Sequence, residues 1–124
     1  MLKTVHQHLL EAIVHLENCT DTDAPSLGPF LKARLHLSQA ERQRRITIQS
    51  IISSLAATGS VPVAAFSDHQ QSRSELDNFR THYVRSWKPE TMQADWKGYC
   101  AARAEKCRKL RDSIEHEQLL FGRL

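Results

Sequence analysis

Glycine and proline are scarce, with four of each in 124 residues. That shortage argues against an all-β fold, which needs a turn every dozen residues or so. No apolar run approaches the ~20 residues of a membrane-spanning helix. The opening "MLKTVHQHLLEAIVHLENC" has one Lys before a run broken by His, Gln and Glu, which is not the pattern of a secretory leader. Cysteine is also sparse. Cys19, Cys100 and Cys107 are an odd set without any Cys-x-x-Cys, so free thiols in a reducing cytoplasm are expected. Cys100 and Cys107 would stand two helical turns apart, roughly 10 Å, too far for a mutual disulfide. There is no Gly-rich phosphate loop, no Gly-x-Ser-x-Gly elbow, no His-x-x-x-His and no His-Glu-x-x-His. A net charge of +3 says little about partners.

What is present is helical periodicity. At about 100° per residue, Leu2, Val5, Leu9, Ile13 and Leu16 form one stripe, predicting a helix over about 2–18. "CTDTDAPSLGP" reads as a connection, with Ser26 or a nearby Asp as N-cap and Pro29 in the first turn. A second pattern covers about 27–57, carrying Leu27, Phe30, Ala33, Leu37, Ala40, Ile48, Ile51, Ile52 and Leu55. Ser38 with Glu41 fits a capping box, a place for a kink or division. "TGSVPV" is a further break. The third pattern, about 63–87, holds Phe66, His69, Leu76, Tyr83 and Trp87 and stops at Lys88-Pro89. The last, about 90–121, holds Met92, Trp96, Tyr99, Cys107, Leu110, Ile114 and Phe121. Four such segments in one 124-residue domain predict an all-α, antiparallel up-down-up-down four-helix bundle.

Charged groups interrupt these stripes. Arg34, Glu41 and Arg44 lie in the second, His69, Arg73 and Arg80 in the third, and Arg103 and Glu117 in the fourth. His6 falls about 60° from the centre of the first stripe, at its inner edge. An unpaired charge in a bundle core costs several kcal/mol, so these residues form a candidate interior polar cluster. Glu117 is expected to meet Arg34, Arg44 or Arg103. Glu11, His15 and Cys19 make a ladder on the first helix away from its stripe, and with His8 they read as a solvated face.

Two motifs resemble the hemerythrin-like (HHE cation-binding) family. "IEHEQLLFGRL" is similar to the end of that family's last helix, and "VHQHLLEAIVHLE" to its first. The resemblance implies a four-helix bundle with a di-iron centre held by histidines and carboxylates from all four helices. Carried onto this chain, His6 and Glu117 stand at ligand positions, with His69 a looser third. The remaining ligands are replaced: Ala40 follows His36 at the spacing of the expected Glu, Arg73 follows His69, and Ser113 stands four before Glu117. The reading is therefore a chain that holds no metal and no cofactor.

"ERQRR" and "RAEKCRKLR" are basic, but their charges spread around the helices and are diluted by Glu41, Glu105 and Asp112, unlike a phosphate-tracking strip. The aromatics concentrate instead in "HYVRSWKPETMQADWKGYC". Tyr83, Trp87, Met92, Trp96 and Tyr99 form a candidate interface, since Trp and Tyr beside Arg are common interface anchors. The functional expectation is a non-enzymatic cytoplasmic bundle acting through protein–protein interaction or regulation, as a homodimer. The alternatives are a divergent hemerythrin-like metal or oxygen sensor and a nucleic-acid-binding accessory protein.

Overall fold

A computed structural model describes residues 1–59 and 63–121, with the backbone alone for 63–66. Five helices occur among the described residues: α1 (Leu2–Thr20), α2 (Leu27–Thr58), α3 (Val63–Ser86), α4 (Pro89–Ala94) and α5 (Trp96–Phe121). Among those residues there is no strand, and no helix is long and apolar enough to cross a membrane. The chain divides into two compact units, Met1–Ser60 and Val61–Leu124. The break expected in "TGSVPV" lies partly, and the side chain of Phe66 wholly, outside the described residues.

The first unit is a helical hairpin. Val5, Leu9, Ala12, Ile13 and Leu16 are buried on α1, as their spacing predicts. Burying a Leu or Ile side chain contributes about 2 kcal/mol. The Thr20 hydroxyl ends α1 by donating to the carbonyls of Leu16 at 2.8 Å and Glu17 at 3.1 Å. The helix α2 starts from Ser26, whose extended backbone accepts the Phe30 N–H at 3.0 Å while its side chain makes no cap. No division occurs at Ser38 and Glu41, because Glu41 is itself buried and α2 runs unbroken through both. Gly59 closes α2 at φ 66°, a left-handed conformation that a side chain would oppose. The partners of α1 and α2 run antiparallel: His15 meets His36, and Val5 and His8 share a cleft with Ala40 and Gln43.

The second unit pairs α3 with α5. Lys88 is extended before Pro89, as expected of a pre-proline residue, and Pro89 opens α4. The last pattern is not one helix. At Asp95 the backbone leaves helical angles (φ −142°, ψ 70°), and its Oδ1 accepts the Gly98 N–H at 3.0 Å. Asp95 thus caps α5, and a methyl group on Gly98 would collide with that carboxylate. The contacts of His69 with Phe121 and of Tyr83 with Tyr99 and Lys106 show that α3 and α5 are antiparallel.

Candidate functional site

The interior polar residues sit as follows. On α2, Glu41 and Arg44 are buried one turn apart, and Arg34 is half-buried with its guanidinium 5.9 Å from the Phe30 ring centre. On α3, His69 is buried and Arg73 half-buried; on α5, Arg103 is half-buried and Glu117 has 0% exposure. His6 is buried as well. His69 meets the edge of Phe121 at 5.3 Å and lies parallel to His116 at 6.0 Å, the angle between rings being 7°. His116 was not anticipated; it lies one position off the stripe, beside Glu117.

The aromatic corner is mostly internal. Tyr83, Met92 and Tyr99 are buried, while Trp87 and Trp96 remain half-buried. Tyr99 is the hub: Trp87 meets it edge-on at 5.6 Å, Trp96 stacks on it at 5.6 Å, and Tyr83 donates to its hydroxyl at 2.6 Å. Buried tyrosines need such partners for their hydroxyls. Lys106, read from the sequence as solvated charge, is instead buried with Nζ 4.4 Å from the Tyr83 ring centre. Lys109 Nζ lies 5.0 Å from that of Phe79. Both lysines engage ring faces by cation–π attraction, which periodicity alone does not show. Cys107 is buried. Burial pushes the Cys100 thiol up, against the lowering pull of Arg103.

Two surface features stand out in the first unit. One is the outer side of α1, where His8 and Glu11 are exposed as a solvated face requires, whereas His15 and Cys19 are half-buried. His15 is half-buried, and its Nδ1 lies 3.0 Å from Nδ1 of His36 on α2. Beside this pair, His8, Glu11, His36, Gln39 and Gln43 line a cleft of about 350 Å³, floored by Val5 and Ala40. Among the described residues no three His, Cys, Asp or Glu side chains are grouped to hold a metal ion.

The other feature is a row on α2. Leu27, Leu31 and Leu35 are 39%, 39% and 58% exposed, and Ile46 is 53% exposed. Leu27, assigned by periodicity to the core stripe, thus faces outward with its i+4 neighbours. At 100° per residue the four fall within an arc of about 100°. The sequence carried this signal as a second, offset Leu repeat.

No protein-family model, curated protein or solved structure matches this chain.

Proposed function

We propose that this protein works by association, as a non-catalytic helical interaction module that pairs with a second copy of itself. The observation that carries the reading is the exposed row Leu27, Leu31, Leu35 and Ile46 on α2. Large aliphatic side chains aligned over about 28 Å of helix lose stability in water and gain it on burial against another helix. Two copies of one face make a self-complementary contact, the commonest form of homo-oligomer. Arg42, exposed on the same face between Leu35 and Ile46, supplies polar selectivity within the contact. Trp87 and Trp96 keep partial exposure and make a second contact region.

The reading extends to architecture and setting. Four long helices in chain order, α1, α2, α3 and α5, support the antiparallel four-helix bundle of hemerythrin-like type, with α4 as an insertion before the last helix. Buried His6 and Glu117 support common ancestry with that family, and Arg73 and Ser113 at expected ligand positions support a chain without its di-iron centre. The setting is the cytoplasm, consistent with three free thiols.

Sedimentation velocity across micromolar concentrations tests the association. The expected result is a dimer that Leu31→Glu with Leu35→Glu converts to monomer while helical circular dichroism is retained. A wild-type chain that stays monomeric at high micromolar concentration would overturn the reading. A dimer indifferent to both substitutions would remove the α2 row as its cause.

A further inference from the structure

On α2, Leu27, Leu31, Leu35, Ser38, Arg42 and Ile46 are all exposed. At 100° per residue, Ser38 and Arg42 fall inside the arc that Leu27 and Ile46 define, so the six make one continuous row. Their steps are four, four, three, four and four residues, a series that reads the same from either end. Its midpoint lies between His36 and Leu37. Steps of four, four and three close on almost three helical turns, so the row runs nearly straight along the helix. An antiparallel copy laid on this face brings every position level with another. Leu27 meets the partner's Ile46, Leu31 meets the partner's Arg42, and Leu35 meets the partner's Ser38.

We propose that the second copy lies antiparallel on this face, with the two-fold axis crossing α2 between His36 and Leu37, and that Arg42 is the residue selecting this orientation. The proposal rests on the self-association inferred above and adds the geometry of the partner. A parallel pair would set Arg42 against the partner's Arg42 across helices about 8–10 Å apart, placing two like charges within an apolar contact. The antiparallel pair separates them by eleven residues of rise, about 16 Å along the helix. That is twice the screening length of about 8 Å at physiological salt. Each Arg42 then lays its methylene stem along the partner's Leu31 while its guanidinium reaches water at the rim. Near the axis, where the two chains come closest to repeating themselves, Leu35 packs over the small Ser38 of the partner subunit. Antiparallel helices also set their dipoles head to tail. The surface thus fits one kind of partner, a helix with the same palindromic spacing, and α2 itself has it.

Charge placed at Leu31 tests the orientation, read as a dimer dissociation constant by sedimentation equilibrium. Leu31→Glu sets a carboxylate beside the partner's Arg42, and Leu31→Arg sets a second cation there. The Glu form is expected to dimerise at least about tenfold more tightly than the Arg form at low salt, the gap narrowing as salt rises. Adding Arg42→Glu to each should invert that order. In a parallel pair position 31 faces itself, so the two forms would be weakened alike. Equal constants would overturn the orientation and leave the association standing. A second measurement decides the case even where both Leu31 variants dissociate. Leu27→Cys chains are mixed with Ile46→Cys chains, oxidised with glutathione disulfide, and the linked peptides are identified by mass spectrometry. Links between positions 27 and 46 are expected to dominate, since only facing residues reach disulfide distance. A majority of like-with-like links would overturn the proposal. A parent chain that stays monomeric would remove both the proposal and the association it rests on.

Discussion

Tyr83 donates a 2.6 Å hydrogen bond to the hydroxyl of Tyr99, and the two residues, sixteen apart in sequence, tie α3 to α5 inside the second unit. A buried hydroxyl that loses its partner bears the cost of having left water, so this bond matters more when broken than when formed. Tyr99→Phe and Tyr83→Phe are each expected to lower stability by about 1–2 kcal/mol in urea denaturation. The double substitution should cost less than the sum, leaving a coupling of about 1 kcal/mol. Strict additivity would show that the two hydroxyls do not act as a pair.

Asp95 separates α4 from α5 and holds the Gly98 N–H. Asp95→Ala should cost about 1 kcal/mol, the usual loss for an N-cap. Asp95→Ser and Asp95→Asn should retain most of it, because both can accept the same hydrogen bond. Thermal denaturation of the three variants measures this. Equal stability of the Ala and Asn forms would remove the capping role.

Glu117 is wholly buried on α5, on the same side as the buried Leu110, Ile114 and Phe121. Replacing one member of a buried polar arrangement strands the others, so Glu117→Ala is expected to destabilise by about 3 kcal/mol or more. Glu117→Gln keeps the shape and part of the hydrogen bonding and should cost less. An Ala variant within about 0.5 kcal/mol of the parent would mean that the carboxylate makes no net contribution.

Cys100 carries a thiol whose ionisation is disfavoured mainly by burial, with Arg103 opposing. Its alkylation by iodoacetamide should rise with pH to a midpoint above the ordinary thiol value of 9.0. The sign for stability follows. A thiol pKa raised by folding contributes stability that is full below the unfolded pKa and lost as pH rises through the folded one. Cys100→Ser should therefore flatten the alkaline fall in stability. An alkylation midpoint at or below 9.0 would contradict the burial effect.

The sequence by itself determined the helices and most of their inward faces. Val5, Leu9, Ile13 and Leu16 had to share one side of α1 because 3.6 residues make a turn, and the structure buries all four. Local chemistry was equally legible at Pro89, whose ring constrains Lys88. It was less so at Asp95, where the choice between staying helical and capping the next helix depends on a bond made only once Gly98 is in place. The same periodicity placed Glu41, Arg44 and Glu117 inside, against their polarity.

Only the tertiary structure decided what crosses between helices. His15 looked like a surface residue, and its approach to His36 at 3.0 Å depends on the register at which α1 meets α2. Lys106 looked solvated until α3 brought the Tyr83 ring beneath it. Leu27 looked no different from a core leucine, yet it stays exposed with Leu31 and Leu35 because packing covers one stripe of α2 and leaves the next. Periodicity is a property of one helix, fixed by backbone geometry. Register and the choice of covered stripe belong to pairs of helices, and are set by which side chains interlock across them.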